Sequence, residues 1–340
     1  MTALNLLLSV CFLSQFQLPA LVSQTDTAGE PQDKEPKFAP IHVLPRQPAI
    51  VTPPVLQRSE VTDQVTDDEL VLGVVVNGES RAYPINMLHG PKREIINDTL
   101  GGVPVAAMWC HLCHSAIMFD RRIDDRALTF QVSGMLWNRT LVMYDSETRS
   151  LWSLLLEKGM TREMKGRRLT SLPADLTTWG KWKSLHPETT VLNLSRSNDR
   201  FVRSFYEEPR AYVFGFVLDH PRHIRIESFL DTPLINVDLD GSQLLASFDH
   251  STFSIRLFDR TVDGDTLTFA VQPSSEEAVS LLMTDSETNS EWDAYTGLAL
   301  SGPLKGKQLQ QHSGAIALTR NWKAFYPRSL EWPLATPANK

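Results

Sequence analysis

The apolar residues of this chain fall into short runs broken by turn residues, and sustained helical spacing is scarce. Val71-Leu72-Gly73-Val74-Val75-Val76 is a β-branched run, and Asn77-Gly78 after it is the dipeptide a type I′ hairpin turn favours, because both central residues need positive φ. Arg81 to Ile85 then returns as the second strand. Further strands are predicted at Val103–Trp109, Ala116–Asp120, Leu128–Val132 and Leu141–Tyr144, separated by Gly-Gly, Asp-Asp and Trp-Asn turns. Trp179–Leu185 and Asn321–Tyr326 are the better short helix candidates. The pattern predicts a mostly β fold with minor α.

Sliding the chain against itself uncovers an internal repeat. Asp145-Ser146-Glu147-Thr148-x-Ser150-x-Trp152 recurs as Asp285-Ser286-Glu287-Thr288-x-Ser290-x-Trp292, at an offset of 140. Collinear matches extend it: Leu72-Gly73 with Phe214-Gly215, Ile96-Asn97 with Ile235-Asn236, Phe119-Asp120-Arg121 with Phe258-Asp259-Arg260, and Trp182-Lys183 with Trp322-Lys323. Two tandem diverged copies of one β-rich module follow, a first over 67–208 and a second over 209–340. A residue kept in both copies is best explained by the shared scaffold, whereas a residue confined to one is freer to be functional. Asp145, Thr148, Ser150 and Trp152 are therefore expected to form a turn in which side chains bond nearby backbone N–H groups. Glu147 and Glu287 are expected to be solvated.

The N-terminal region lacks this strand pattern. Leu4 to Val22 is rich in apolar residues and reads as a signal peptide or N-terminal anchor, residues 1–23, although the first basic residue is Lys34. Residues 24–66 are rich in Pro and polar residues and read as a linker, with order beginning at Asp67. These features predict an extracytoplasmic protein, periplasmic or secreted, with membrane tethering through the N-terminus as an alternative. No later segment approaches a transmembrane helix.

Composition narrows the function classes. A chain of 340 residues with 42% hydrophobic and 21% charged residues suits two core-forming units. The net charge of −7 leaves no basic stripe for nucleic acid, and no protein partner is indicated. No phosphate loop, G-x-S-x-G elbow, H-E-x-x-H or EF-hand pattern occurs. Ser133-Gly134 reads as a bend after a strand, and His186-Pro187 as a helix end.

One constellation is asymmetric between the copies. Trp109-Cys110-His111-Leu112-Cys113-His114-Ser115 aligns with Phe248-Asp249-His250-Ser251-Thr252-Phe253-Ser254, so Cys110, Cys113 and His114 have no counterparts while His111 has His250. Of three cysteines, Cys11 lies in the N-terminal apolar stretch, leaving this pair in the mature chain. A C-x-x-C turn brings two thiolates to one point. With His114 and His111 it offers ligands for a soft transition metal, copper or zinc. Alone, Cys110 and Cys113 form a candidate redox couple in which one thiolate attacks and the other resolves. Cys110-His111-Leu112-Cys113-His114 also matches C-x-x-C-H, the c-type haem attachment, which would need a distal ligand such as Met118, Met135, Met143 or His89. The remaining alternative is a non-enzymatic binding or interaction protein whose Cys pair is structural.

Several motifs together resemble the bacterial and archaeal domain of unknown function family 3179 over about residues 67–330. They are Arg81-Ala82-Tyr83-Pro84-Ile85, Ile96-Asn97-Asp98-x-x-Gly101-Gly102, Cys110-x-Leu112-Cys113-x-Ser115-Ala116, Ser133-Gly134-x-Leu136, Leu141-Val142-Met143-Tyr144-Asp145 and Thr148-x-Ser150-Leu151-Trp152. The resemblance implies an often exported protein without an assigned activity. Members commonly look like Cys-Pro-Leu-Cys followed by Gly or Asn where this chain has His111 and His114, and a His often stands at the position of Arg93. The family pattern therefore places weight on the two thiols rather than on the histidines.

Overall fold

The computed structural model describes residues 36–239, 241–272 and 281–332. The signal or anchor segment and the start of the linker lie outside them. Strands dominate, and the α-helices among the described residues are Ile85–Leu88, Trp179–Leu185 and Thr319–Phe325. None is long and apolar enough to cross a membrane.

The predicted hairpin forms as Leu70–Val76 paired antiparallel with Glu79–Pro84. Asn77 and Gly78 carry the positive φ values, 49° and 83°, that the tight turn demands. Each module then repeats three sheets in the same order. In the first module, the hairpin is flanked by Ala174–Thr178 and Thr190–Leu192. A second sheet is built on Ile95–Leu100, Val103–Cys110 and Ser115–Asp120, and a third on Phe130–Trp137, Thr140–Asp145 and Leu151–Ser153. In the second module, the equivalents are Tyr212–Val217 with Pro221–Arg225, then Leu234–Leu239 with Ser242–Asp249 and Ser254–Asp259, then Phe269–Val271 with Leu282–Asp285 and Glu291–Asp293.

The segment expected as linker up to residue 66 contributes strands to the first module. Ile41–His42 pairs with Phe130–Trp137, Ile50–Val51 with Ile95–Leu100, and Val55–Gln57 with Thr190–Leu192, one edge strand for each of the three sheets. Proline is compatible with this because an edge strand needs ladder bonds on one side only. Gly134 makes the fit possible: it bulges at φ 80°, and a Cβ there would sit 1.9 Å from the Leu44 carbonyl oxygen.

Residues identical in the two copies have scaffold roles. Asp145 accepts from the backbone of Thr148 at 2.5 Å and Ser150 at 3.2 Å and from the Trp152 indole at 2.8 Å. Asp285 does the same for Thr288, Ser290 and Trp292 at 2.6, 3.1 and 2.9 Å. Asn97 and Asn236 each clasp the backbone of a phenylalanine, Phe130 or Phe269, through both amide atoms. The indoles of Trp182 and Trp322 lie flat on Gly73 and Gly215, where any Cβ would come within 2.3 and 2.4 Å of the ring. Glu147 and Glu287 are exposed, yet they are more than solvated: each accepts a backbone N–H, from Thr129 at 2.8 Å and Thr268 at 2.7 Å.

Strand alternation divides the central sheet of the first module between two cores. Val105, Ala107 and Trp109 face one that also contains Phe214, Phe248 and Leu257 of the second module. Ala106, Met108 and Cys110 face another, which receives Ala317, Trp322 and Phe325 from the second module. The modules thus share their cores, and the described residues from Pro36 onward form one compact unit.

Candidate functional site at the first-module hairpin turn

Val103–Cys110 and Ser115–Asp120 end on the pair Cys110 with Ser115, leaving residues 111–114 as the turn. The second module repeats it: Asp249 pairs with Ser254, and residues 250–253 turn. His114 and Phe253 occupy the same left-handed position, with φ of 56° and 60°, so this backbone belongs to the scaffold rather than to the site. What differs is the side chains. Asp249 caps its turn by accepting Ser251 N–H at 2.9 Å, while Cys110 and Cys113 place two sulfurs in the equivalent positions.

Both thiols are buried, at 1% and 0% exposure, and are not joined as a disulfide. Cys110 Sγ accepts the Leu141 N–H at 3.4 Å, and Cys113 Sγ contacts the Cys110 carbonyl at 3.9 Å. The two thiols are unequal in acidity. Burial pushes the Cys110 thiol well up, reinforced by Cys113 and by the nearby Glu94 charge. Burial acts upward on Cys113 as well, but hydrogen bonds from Cys110, Ser115 and Thr140 together bring it below the usual thiol range.

Glu94 was not among the residues singled out from the sequence. It sits just before Ile95–Leu100, accepts the backbone N–H of His111, and is raised to about 7 by burial against that hydrogen bond. Its counterpart in the repeat is Pro233, so the asymmetry that marked the thiols was available to find it.

The imidazoles lie apart from the sulfurs. Cys110 and Cys113 enter the second core, whereas His111 and His114 pack among Phe201, Phe205 and Tyr206. His89 joins them, with ring centroids 4.5 Å from His89 to His111 and 6.0 Å from His111 to His114. His89 Nε2 meets Asp199 at 2.9 Å, and His114 Nδ1 meets the hydroxyl of Tyr212, from the second module, at 2.7 Å. Burial and the neighbouring His111 lower both histidines, His114 to about 4, so they are neutral near pH 7. Among the described residues, no group of three or more His, Cys, Asp or Glu side chains converges as a metal site. Of the haem-ligand candidates, Met118 faces the first core and Met143 the second. Met135 packs at the second core's edge.

Comparison with curated proteins and with solved structures returned no match. Residues 46–223 and 232–331 match the family described as protein of unknown function, DUF3179, and the chain belongs to that family.

Proposed function

We propose that this is an exported protein whose first module carries a dithiol/disulfide redox couple at Cys110 and Cys113. The observation that carries the reading is a pair of buried, unjoined thiols on one turn, present in one copy of the repeat and replaced by Asp249 and Thr252 in the other. Cys113, the more acidic, is the attacking thiolate, and Cys110 is the resolving thiol. The substrate class is a disulfide. Cys113 attacks one substrate sulfur, the substrate S–S bond breaks, and the first substrate thiolate leaves and takes a proton from solvent. Cys110 then attacks Cys113 Sγ, its proton passing to the second substrate sulfur as that leaves. Two electrons and two protons go to the substrate, and Cys110–Cys113 becomes the disulfide, to be regenerated by an external dithiol. Because both sulfurs are buried, the turn at 111–114 must lift for the reaction.

That same burial supports a second reading, an interaction protein whose thiols are structural filling. The separation of imidazoles from thiols argues against a shared metal or haem centre on Cys110, Cys113, His111 and His114. A redox titration of the native protein with oxidised and reduced dithiothreitol, read by alkylation and mass, decides among these. The redox reading expects a reversible loss of two thiols and, in Cys110→Ser, a trapped mixed disulfide on Cys113. Thiols that react only after denaturation establish the structural reading. One equivalent of zinc or copper lost in Cys110→Ser/Cys113→Ser establishes the metal one, and covalent haem absorbance the haem one. Export is tested by fractionating cells for a chain processed near residue 23.

A further inference from the structure

The repeat generates two pseudo-equivalent clefts between the modules, and at three matching positions one is apolar where the other is polar. Each is floored by the glycine beneath the tryptophan that both copies share. The cleft at Gly215 and Trp322 measures about 280 Å³ and has Ile117, Leu155 and Ala315 at these positions, with Glu157, Ser171 and His312 elsewhere in its lining. Tyr326, at its edge, is tied to the Leu155 carbonyl at 2.9 Å. The cleft at Gly73 and Trp182 measures about 520 Å³ and has Arg256, Tyr295 and Asp175 at the matching positions. The register confirms the match. Met108 with Ile117 corresponds to Ser247 with Arg256, Gly73 with Asp175 to Gly215 with Ala315, and the bridge Lys158–Arg168 to Leu298–Gln308. By the logic that singled out the thiols, a polar trio confined to one of two equivalent clefts calls for a functional explanation.

The trio leaves donors unspent. Arg256 is 3% exposed, its Nη2 lies 2.7 Å from Asp175 Oδ2, and its guanidinium carbon stacks 3.0 Å from the Tyr295 ring centroid. Asp175 is fully engaged, because its other oxygen accepts Gln311 Nε2 at 3.1 Å. A guanidinium carries five N–H donors, and even Nη2, close as it is to Asp175, makes no well-directed hydrogen bond. The buried Tyr295 hydroxyl rests against Thr177 and Arg256 without a well-directed hydrogen bond to either. Burial raises it to about 12, so it stays a neutral donor. A second cation, Lys181, lies 4.7 Å from the Tyr295 ring centroid. Trp182, Leu185, Leu298 and Leu309 supply apolar wall, with His186, Thr296 and Gln308 as further polar lining. The volume is that of a small-molecule site, and buried donors without acceptors demand acceptors from what binds.

We infer that this cleft binds a small organic acid, its carboxylate on Arg256 and Tyr295 and its apolar body along Trp182, Leu185 and Leu298. The inference is independent of the thiol chemistry. It is tested on the full chain by calorimetry with octanoate, octanol and octylamine as probes. Arg256→Ile/Asp175→Ala installs the residues that the equivalent cleft already tolerates and leaves no charge unpaired. Leu298→Trp, at a partly exposed wall position, narrows the cleft without touching the trio. Saturable octanoate binding at least tenfold tighter than octanol, reduced at least tenfold in the double variant and in Leu298→Trp, supports the site. If the double variant does not fold, Leu298→Trp alone decides. No saturable octanoate binding by the folded wild type, undiminished binding in the folded variants, or tighter binding of octylamine overturns it.

Discussion

Glu94→Gln probes the least expected group of the thiol site. The Glu94 carboxyl is raised from 4.5 to about 7, mainly by burial. Between those values the folded chain holds a proton that the unfolded chain has released. Stability therefore falls as pH rises across this window, by ~1.4 kcal/mol per unit, or about 3 kcal/mol in total. Below pH 4.5 both states are protonated, and above about 7 both are ionised, so the slope vanishes outside the window. Glu157, also raised to about 7 by burial, adds a contribution of the same sign. His114, lowered to about 4, acts in the opposite direction. The difference between wild type and Glu94→Gln isolates the one group. Urea unfolding at pH 4.5, 5.5, 6.5 and 7.5 is expected to show the variant gaining about 3 kcal/mol relative to wild type as pH rises across the series. Parallel pH profiles for the two proteins would refute the buried-carboxyl argument. The same substitution removes a negative charge that raises Cys110, so alkylation of that thiol in unfolding-free conditions is expected to accelerate above pH 7.

Other perturbations test the scaffold that holds the site. Gly73→Ala, whose Cβ would lie 2.3 Å from the Trp182 ring, is expected to cost at least 1–3 kcal/mol, and Gly215→Ala a similar amount, measured by chemical denaturation. Asp145→Ala strands the Trp152 indole and two backbone N–H groups; a loss of roughly 2–4 kcal/mol is expected, with unchanged titration of the native thiols. A chain beginning at Arg58 lacks three edge strands, and light scattering is expected to report association through the uncovered sheet edges; a monomer as stable as the longer chain would contradict this.

Much of the local structure was legible along the chain. Asn77-Gly78 announced its hairpin through the positive φ that both residues must adopt, and the strand runs through Tyr144 emerged near their predicted places. The repeat was visible because Asp145 and Trp152, or Gly73 and Trp182, serve contacts that both copies require, so neither copy was free to change them. The same comparison marked Cys110 and Cys113 as a departure.

Other features depend on partners remote in sequence. The Pro-rich stretch before residue 58 has no strand signal of its own and becomes strand only because three sheets of the first module present open edges. Cys110 and His111 are neighbours in the chain, yet alternation sends the sulfur into one core and the ring toward Phe201 and Phe205 at another, a division that pattern matching on C-x-x-C-H does not anticipate. Arg256 and Asp175 carry no motif at all. Sequence determined the elements and the repeat, because turns, strand periodicity and the Asp–Trp cap are short-range. Tertiary structure decided which groups meet, because the burial that shifts Glu94 and the cleft that exposes unspent donors exist only when distant strands close over them.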